Sequence, residues 1–236
     1  MRNLIRVVIA FVILDVGVAG LCAQSLPQIQ VSLPVVPTTP QSFDCTKAWI
    51  TWARILCADQ AGANADWDIN AAYWATLYSL PEANREAFKT GHQYWLQSLN
   101  ATCGLLLEQF TWWPQQRQCV LNAFHARANT YRSLLRGDGL VESNLSPGEH
   151  AQLQIGLITL GLLLDQADGE FGPLTRDAIK RFQEQLGQPQ NGFLTAAQRT
   201  RLLQAVAGGG VVQPPSPGPV TPSAPSEACR RYPNLC

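Results

Sequence analysis

The chain has 236 residues, which is enough for one or two domains, and its 17 acidic and 17 basic residues give a formal net charge of zero. Non-specific binding of nucleic acid needs an excess of basic charge, so we expect no nucleic-acid partner. The sequence contains no HExxH motif, no serine elbow and no Walker loop. We therefore expect a binding protein with no catalytic residues, no cofactor and no metal site. A carboxylate pair for glycoside hydrolysis stays open, because such pairs assemble in three dimensions.

Residues 1–23 are predicted to be a secretory signal peptide. Two arginines precede an apolar run at residues 7–14, and Leu21-Cys22-Ala23 is an acceptable cleavage site. A membrane anchor is the alternative, but the run is short and Asp15 interrupts it. A lipoprotein attached through Cys22 is a weaker alternative, because a bulky leucine precedes the cysteine. We expect a periplasmic or secreted protein with no membrane span after cleavage.

Cleavage leaves an even set of cysteines, which in an exported chain predicts disulfide bonds. The set is Cys45, Cys57, Cys103, Cys119, Cys229 and Cys236. The sequence alone does not choose among the pairings that this set allows. We favour local pairing within each of three segments, 45–57, 103–119 and 229–236, because long spacers separate the segments. No histidine lies at ligand spacing from a cysteine pair, so metal binding is disfavoured.

A proline-rich linker is predicted at residues 24–41. The next segment, residues 42–136, holds all seven tryptophans. Apolar residues recur there at helical spacing in four stretches, which are Thr46–Cys57, Asp66–Leu80, Pro81–Cys103 and Cys119–Leu135. Long strands with period-two alternation are absent. We predict four helices with cysteines near their ends and a core rich in tryptophan, tyrosine and leucine.

Several positions in this segment resemble the LprI-type, lysozyme-inhibitor-like domain of bacterial secreted proteins. They are Phe43-Asp44-Cys45, Ile55-Leu56-Cys57, Asp66, Ile69, Tyr73, Trp95-Leu96, Cys103, Cys119-Val120 and Arg127. The resemblance spans residues 42–136. It implies a binding function, with inhibition of lysozyme as the activity of some members. We expect a protein partner such as lysozyme or another wall-lytic enzyme.

The charge distribution bears on that partner, because lysozymes are strongly cationic and an acidic face would speed their binding. Residues 42–136 carry seven acids and eight bases, so the segment is not acidic overall. Five of the acids nevertheless lie in its first half: Asp59, Asp66, Asp68, Glu82 and Glu86. This pattern leaves open the hypothesis of a local acidic face.

Trp112 and Trp113 lie in the predicted loop between Cys103 and Cys119. Aromatic side chains in a loop either stack on sugars or enter a partner's pocket, or they fold back as a lid on the core. We list both tryptophans as candidate ligand-binding residues. A short hinge is predicted after this segment, at residues 137–145.

Three short helices are predicted in residues 146–206. Ser146-Pro147-Gly148-Glu149 and Thr195-Ala196-Ala197-Gln198 are capping boxes. Between them, a glycine-containing loop that begins at Asp168 leads into an amphipathic helix, in which Ala178, Ile179 and Phe182 share one face. This pattern predicts a small helical domain.

Residues 146–206 resemble the peptidoglycan-binding-like three-helix domain. The matching positions are Leu153-Gln154, Leu157, Leu160-Gly161, Asp168-Gly169, Phe171-Gly172, Thr175, Ala178, Phe182-Gln183 and Gly192. The resemblance implies non-catalytic binding to peptidoglycan. We list Asp168, Phe171 and Thr175 as candidates for the binding region. Each has an alternative role: Asp168 as an acceptor for loop N–H groups, Thr175 as a helix cap and Phe171 as a core residue.

The remaining residues, 207–236, form a glycine- and proline-rich tail that ends in a predicted cysteine loop. Together these features predict an all-α, two-domain protein of the bacterial cell envelope. An adaptor that recruits or regulates wall enzymes without inhibiting lysozyme is the first alternative function. A peptidoglycan hydrolase is a less favoured alternative.

Overall fold

Helices account for all the regular secondary structure in residues 41–207, the part of the chain that the computed structural model describes. The predicted all-helical fold is confirmed there. The elements are a 3-10 turn at Cys45–Lys47 and helices α1 (Thr51–Cys57), α2 (Gln60–Ser79), α3 (Glu82–Thr102), α4 (Pro114–Ser133), α5 (Gly137–Glu142), α6 (Pro147–Thr159), α7 (Pro173–Gln185) and α8 (Ala196–Ala207). All the described residues belong to one compact unit.

Helix α2 is the central element of the fold, and α1, α3, α4 and α5 all pack against it. The Asp59 side chain caps its start by accepting a hydrogen bond from the Gly62 N–H, and Pro81 follows its last turn. Alanines on several of its faces are fully buried, as expected for a helix enclosed by neighbours. Gly62 is required for the close approach of α1, since a Cβ atom there would lie 2.2 Å from the Leu56 carbonyl oxygen.

The core around α2 is rich in aromatic and aliphatic side chains. Its buried members include Phe43, Trp52, Ile55, Leu56, Tyr73, Trp74, Leu77, Leu96, Leu99, Phe124 and Tyr131. Trp52 lies between Phe43 and Phe124, with ring centroids 6.3 Å and 5.8 Å away. Each buried ring of this size removes a large apolar area from water, so this cluster is the main source of stability in α1–α4.

Two disulfide bonds are present in the described residues, Cys45–Cys57 and Cys103–Cys119. They are two of the three local pairings that the sequence favoured. The first ties the 3-10 turn to the end of α1, and the second ties the end of α3 to the first turns of α4. The third favoured pairing, 229–236, lies outside the described residues, as do the predicted signal peptide and nearly all of the predicted linker and tail.

Some helix boundaries differ from the prediction. The stretch predicted as one helix from Thr46 is broken at Ala48 and Ile50, where the backbone is extended. Helix α4 begins at Pro114 instead of Cys119, because proline suits the first helical position. The stretch 137–145, predicted as a hinge, contains helix α5, and Glu142 at its end is buried. The predicted domain boundaries themselves stay predictions.

Helices α6, α7 and α8 enclose a second core. It is formed by Leu153, Leu157, Leu162, Leu163, Phe171, Ala178, Ile179, Phe182, Leu194 and Leu202. The predicted capping box is present, since Ser146 and Glu149 exchange hydrogen bonds at the start of α6. Helices α6 and α8 pack closely at Gly156, where a Cβ atom would lie 2.9 Å from the Leu202 carbonyl oxygen. None of the helices between residues 41 and 207 combines the length and hydropathy needed to cross a bilayer.

Candidate functional site

The loop between α6 and α7 is organised by one buried side chain, Gln154. Its carbonyl oxygen accepts a hydrogen bond from the Gly169 N–H at 2.6 Å. Its amide nitrogen lies 2.8 Å from Asp168 Oδ1, 3.0 Å from the Glu170 carbonyl oxygen and 3.1 Å from Thr175 Oγ1. Gly169 has a φ of 84°, which favours glycine. The side chain of Gln154 thus replaces the backbone partners that this loop lacks.

The loop between α7 and α8 has the same arrangement around Gln183. Its carbonyl oxygen accepts from the Gly192 N–H at 3.0 Å. Its amide nitrogen lies 3.0 Å from Asn191 Oδ1, 2.8 Å from the Phe193 carbonyl oxygen and 3.3 Å from Gln198 Oε1. Gly192 has a φ of 78°. Residues 168–175 and 191–198 are therefore two copies of one structural element.

Helix α2 covers the first of these loops. Asn70 donates a hydrogen bond to Glu170 Oε1 at 2.6 Å, in a buried position. The Trp67 ring packs edge-on against His150, with centroids 5.1 Å apart, and lies against Gly169. The His150 ring nitrogens face the carbonyl oxygens of Gly169 at 2.8 Å and Glu142 at 3.0 Å. The loop is thus enclosed by α2 on one side and α5 on another.

A buried ion pair joins α5 to α7. The Arg176 side chain is 1% exposed and that of Glu142 is 4% exposed. The guanidinium donates to both carboxylate oxygens, through Nη1 to Oε2 at 2.7 Å and through Nη2 to Oε1, and Nη1 also donates to the Gly192 carbonyl oxygen at 2.7 Å. The guanidinium carbon lies 4.4 Å from the Phe193 ring centroid. This pair links α7 and the second loop copy to the helix that precedes α6.

A groove opens at the opposite end of α7. It lies between the ends of α6 and α7 and the second half of α8, and it has a volume of about 430 Å³. Its lining includes Leu160, Phe182, Leu186, Gln185, Gln204 and Arg201. It is separate from the loop that α2 covers.

Residues 147–202 match the family model described as a putative peptidoglycan binding domain. We refer to this stretch as the peptidoglycan-binding-like module. The match supports the resemblance predicted for α6–α8, and it supports peptidoglycan as a partner of this chain. No curated protein matched the chain, and no solved structure matched it. The resemblance of residues 42–136 to the LprI-type domain stays a prediction.

The candidate residues of the module differ in their accessibility. Phe171 is 1% exposed, and its ring stacks on His150 at 4.2 Å between centroids. Thr175 is also buried, and its hydroxyl donates to the Glu170 carbonyl oxygen at 3.2 Å while Gly172 caps α7. Both side chains are therefore closed to a ligand in this conformation. Their role in binding stays a prediction.

Asp168 is exposed as a residue, but its Oδ1 atom lies within the loop. That atom accepts hydrogen bonds from the Gln154 amide and from the Glu170 N–H at 2.8 Å each. Desolvation of the carboxyl raises the pKa of Asp168 above its ordinary value, and the hydrogen bonds oppose this rise. The carboxyl therefore serves as the acceptor for a loop N–H, which is one of the two roles considered for it, and its contact with a ligand stays a prediction.

The two candidate tryptophans of the 103–119 loop lie in different environments. Trp112 is partly buried and packs against the core around α2. Trp113 is 73% exposed, and its neighbours in the loop, Leu106 and Phe110, are 73% and 78% exposed. We call Leu106, Leu107, Phe110 and Trp113 the apolar loop surface. Trp112 thus lies toward the core and Trp113 toward solvent, and a role of either in ligand binding stays a prediction.

The apolar loop surface is held in place by hydrogen bonds. The Thr51 N–H and hydroxyl donate to the Leu107 and Leu106 carbonyl oxygens at 3.0 Å and 2.7 Å. The Gln116 side chain accepts from the Trp113 N–H at 2.9 Å and donates to the Gly104 carbonyl oxygen at 2.6 Å. The Arg54 guanidinium lies 4.0 Å from the Phe110 ring centroid. These contacts and the Cys103–Cys119 disulfide pre-organise the surface.

Three of the five acids that suggested an acidic face are engaged in ion pairs or hydrogen bonds with other parts of the fold. Asp59 pairs with Arg117 at 2.7 Å. Desolvation acts to raise the pKa of Asp59, but hydrogen bonds from Gly62 and Arg117 outweigh it and lower that pKa below its ordinary value. Asp66 is buried and accepts from the Ser42 N–H at 2.6 Å. Asp68 lies 2.5 Å from an Arg132 Nη2 atom and 2.8 Å from His125. These acids do not form a free acidic surface.

Four residues that organise this region were not predicted from the sequence: Asn70, Glu142, His150 and Arg176. Their partners lie between 8 and 100 residues away in the sequence, so no motif of adjacent residues identifies them. The repeated Asp-Gly and Asn-Gly pairs, each following a helix that carries a buried glutamine, were the signal available for the two loop copies. In the described residues, no three His, Cys, Asp or Glu side chains are placed to hold a metal ion.

Proposed function

We propose that this protein is an exported component of the bacterial cell envelope that binds peptidoglycan through α6–α8. The observation that carries the proposal is the family match over residues 147–202, which covers most of a folded three-helix unit. The two disulfide bonds support an oxidising compartment such as the periplasm or the exterior. Binding and not catalysis is the role of a domain of this family.

We propose further that α1–α4 bind a wall-lytic enzyme such as lysozyme. Two observations support this: the resemblance of residues 42–136 to the lysozyme-inhibitor-like domain and the apolar loop surface. Exposed aromatic side chains that are already ordered lose little conformational entropy on binding, so they make effective anchors. The internal pairing of Asp59, Asp66 and Asp68 indicates that shape and apolar contact, and not an acidic face, would carry the affinity.

The two activities would cooperate through position. Peptidoglycan binding by α6–α8 holds the apolar loop surface close to the polymer on which a lytic enzyme acts. This raises the local concentration of the inhibitor at that surface and strengthens inhibition without any new contact. The same geometry serves the alternative function, in which the protein recruits or regulates wall enzymes without inhibiting lysozyme.

Peptidoglycan binding is tested by co-sedimentation of the chain lacking residues 1–23 with purified sacculi. We expect the protein in the pellet in the presence of sacculi and in the supernatant without them. A protein that stays in the supernatant at every sacculus concentration would contradict the proposal. Cleared bands in a zymogram with the same sacculi would favour the hydrolase alternative.

Partner binding is tested with a lysozyme activity assay on dissolved substrate, in which wall anchoring plays no part. We expect inhibition by the intact chain and at least a tenfold weaker inhibition by Trp113→Ala, as for a central aromatic anchor worth about 1.4 kcal/mol or more. Tyr94→Ala is the matched control, because Tyr94 is an exposed aromatic on α3, outside the apolar loop surface. No inhibition at large excess of the intact chain would favour the adaptor.

A further inference from the structure

The groove at the ends of α6 and α7 differs in chemistry from the covered loop. Its floor is apolar, formed by Phe182 with Leu186 and Leu160 beside it. Two amide side chains, Gln185 and Gln204, line it and are exposed. The described lining residues include one cation, Arg201, and no carboxylate. Such a groove favours a ligand with small apolar groups, amide bonds and a negative charge.

Arg201 stands apart from the other arginines of the peptidoglycan-binding-like module. Arg176 is paired with Glu142, Arg181 donates to the Leu162 carbonyl oxygen and Arg199 donates to the Leu194 carbonyl oxygen. Arg201 is exposed and, within residues 41–207, makes no hydrogen bond or ion pair. Three of the four guanidinium groups of the module thus bond to other groups of the fold, and the fourth, in the groove, is accessible to a ligand.

The position of the groove also distinguishes it from the covered loop. Thr175, in the covered loop, and Gln185, at the groove, are ten residues apart on α7, which corresponds to about 15 Å along the helix axis. A ligand in the groove therefore does not require α2 to leave the loop. The groove is accessible in the same conformation in which Trp67 and Asn70 hold the loop closed.

We propose that this groove binds the peptide stem of peptidoglycan and that Arg201 pairs with a free carboxylate of the stem. This inference rests on the proposed peptidoglycan binding and specifies which surface and which part of the polymer take part. The alanine methyl groups of a stem contact the apolar floor. The amides of Gln185 and Gln204 exchange hydrogen bonds with the stem's peptide groups, and the guanidinium supplies the geometry that a carboxylate needs.

The test uses the chain lacking residues 1–23 and a synthetic stem peptide, diacetyl-Lys-D-Ala-D-Ala, with either a free or an amidated carboxyl end. Calorimetric titration measures the affinity of each of the two peptides for this chain without substitution, called the intact chain below, and for its Arg201→Gln variant. We expect Arg201→Gln to weaken binding of the free-carboxylate peptide by about threefold to tenfold, the range for a partly exposed charge-assisted pair. Arg201→Gln should leave binding of the amidated peptide unchanged, because the amide carries no charge with which the guanidinium could pair.

Lys180→Gln is the matched control, since it removes one positive charge from α7 in the same module and outside the groove lining. It should leave both affinities unchanged. The inference is overturned by equal weakening of both peptides in Arg201→Gln, by equal affinity of the intact chain for the two peptides, or by an effect of Lys180→Gln as large as that of Arg201→Gln.

Sacculus co-sedimentation of the same variants separates this inference from the function on which it rests. If the intact chain binds sacculi but not the free-carboxylate peptide, binding of the stem in the groove is refuted and peptidoglycan binding by the protein is retained. An intact chain that binds neither refutes both. Sacculi pre-treated to amidate their free carboxyl groups should bind the intact chain more weakly than untreated sacculi and should bind Arg201→Gln as they did before treatment.

Discussion

Gln154 on α6 and Gln183 on α7 make equivalent hydrogen bonds to two loops that have the same internal order. Asp168 corresponds to Asn191, Gly169 to Gly192 and Thr175 to Gln198, with the same spacing in each copy. Helix α7 thus takes part twice, as the helix that follows the first loop and as the helix that supplies the glutamine to the second. The repeat explains how a short chain segment with few apolar residues specifies both turns.

We expect Gln154→Leu to lower the free energy of unfolding by about 2–4 kcal/mol, because it removes one acceptor and one donor from buried backbone partners at Gly169 and Glu170. Gln118→Leu is the control, since Gln118 is exposed on α4 and its side chain donates a hydrogen bond to the exposed Asn122, and it should change stability by less than about 0.5 kcal/mol. Urea unfolding followed by circular dichroism measures both. A Gln154→Leu variant as stable as the control would contradict this role.

We expect Asp168→Asn to raise stability at neutral pH, because the pKa of Asp168 is raised by desolvation above its ordinary value of 3.8. The folded protein then binds a proton more readily than the unfolded chain, so the ionised carboxylate costs stability above the raised pKa. Asparagine keeps the acceptor oxygen for Gln154 and the Glu170 N–H. It is also the residue that the second copy has, at Asn191.

The gain from Asp168→Asn should be small, below about 0.5 kcal/mol, because the residue is partly exposed and solvent screens the carboxylate. It should be fully present at pH 7 and should shrink as the pH falls through the raised pKa toward 3.8, since the wild-type carboxyl becomes neutral there. Unfolding in urea at pH 7 and at pH 4 measures the difference. A difference that grows on acidification would show that the pKa shift has the opposite sign.

The ion pair between Glu142 and Arg176 is expected to be costly to break from one side. Glu142→Leu leaves a buried guanidinium without its carboxylate and should lower the free energy of unfolding by about 3–5 kcal/mol. The double variant Glu142→Leu/Arg176→Met should be less destabilised than Glu142→Leu alone, because no charge is left buried and unpaired. Urea unfolding of these two variants and of Arg176→Met gives the coupling energy between the two residues, and strictly additive effects would contradict this pairing.

Helix positions and core residues were largely predictable from the sequence, because they depend on local periodicity and on capping residues. The spacing of Leu153, Leu157 and Phe182 identifies buried faces, and Ser146 with Glu149 identifies the start of a helix. The start of α2 at Gln60 was missed, since its first turns carry few large apolar residues. Asp59 was the available signal, because its side chain caps that helix.

Contacts between distant segments were not predictable in this way. Asn70 and Glu170 are one hundred residues apart in the sequence and share one buried hydrogen bond. The candidate Phe171 was identified from its motif, but its ring is buried and stacks on His150, which in turn packs against Trp67 from another helix. A sequence pattern states which residue types a loop needs, whereas its accessibility depends on which helix packs over it.

We expect loss of the Cys103–Cys119 disulfide to affect both stability and the apolar loop surface. The disulfide closes a loop with a sequence separation of 16, so Cys103→Ala/Cys119→Ala should lower the free energy of unfolding by about 3 kcal/mol. Cys45→Ala/Cys57→Ala, with a separation of 12, should cost about as much but leave the loop ordered. Amide hydrogen exchange of residues 104–113 distinguishes the two double variants. The exchange should be faster in Cys103→Ala/Cys119→Ala only, and equal exchange rates in the two variants would show that the Cys103–Cys119 disulfide does not order this loop.

The contacts of α2 and α5 with the peptidoglycan-binding-like module predict that residues 146–206 are less stable when expressed alone. The fragment loses the Trp67 ring over His150, the hydrogen bond from Asn70 to Glu170 and the carboxylate partner of Arg176. Losing about 2 kcal/mol in a segment of this size should lower the melting temperature by roughly 10 °C or more. Thermal unfolding by circular dichroism, compared with the chain of residues 41–207, measures this. A fragment that melts at the same temperature as the longer chain would show that these contacts add nothing to the stability of α6–α8.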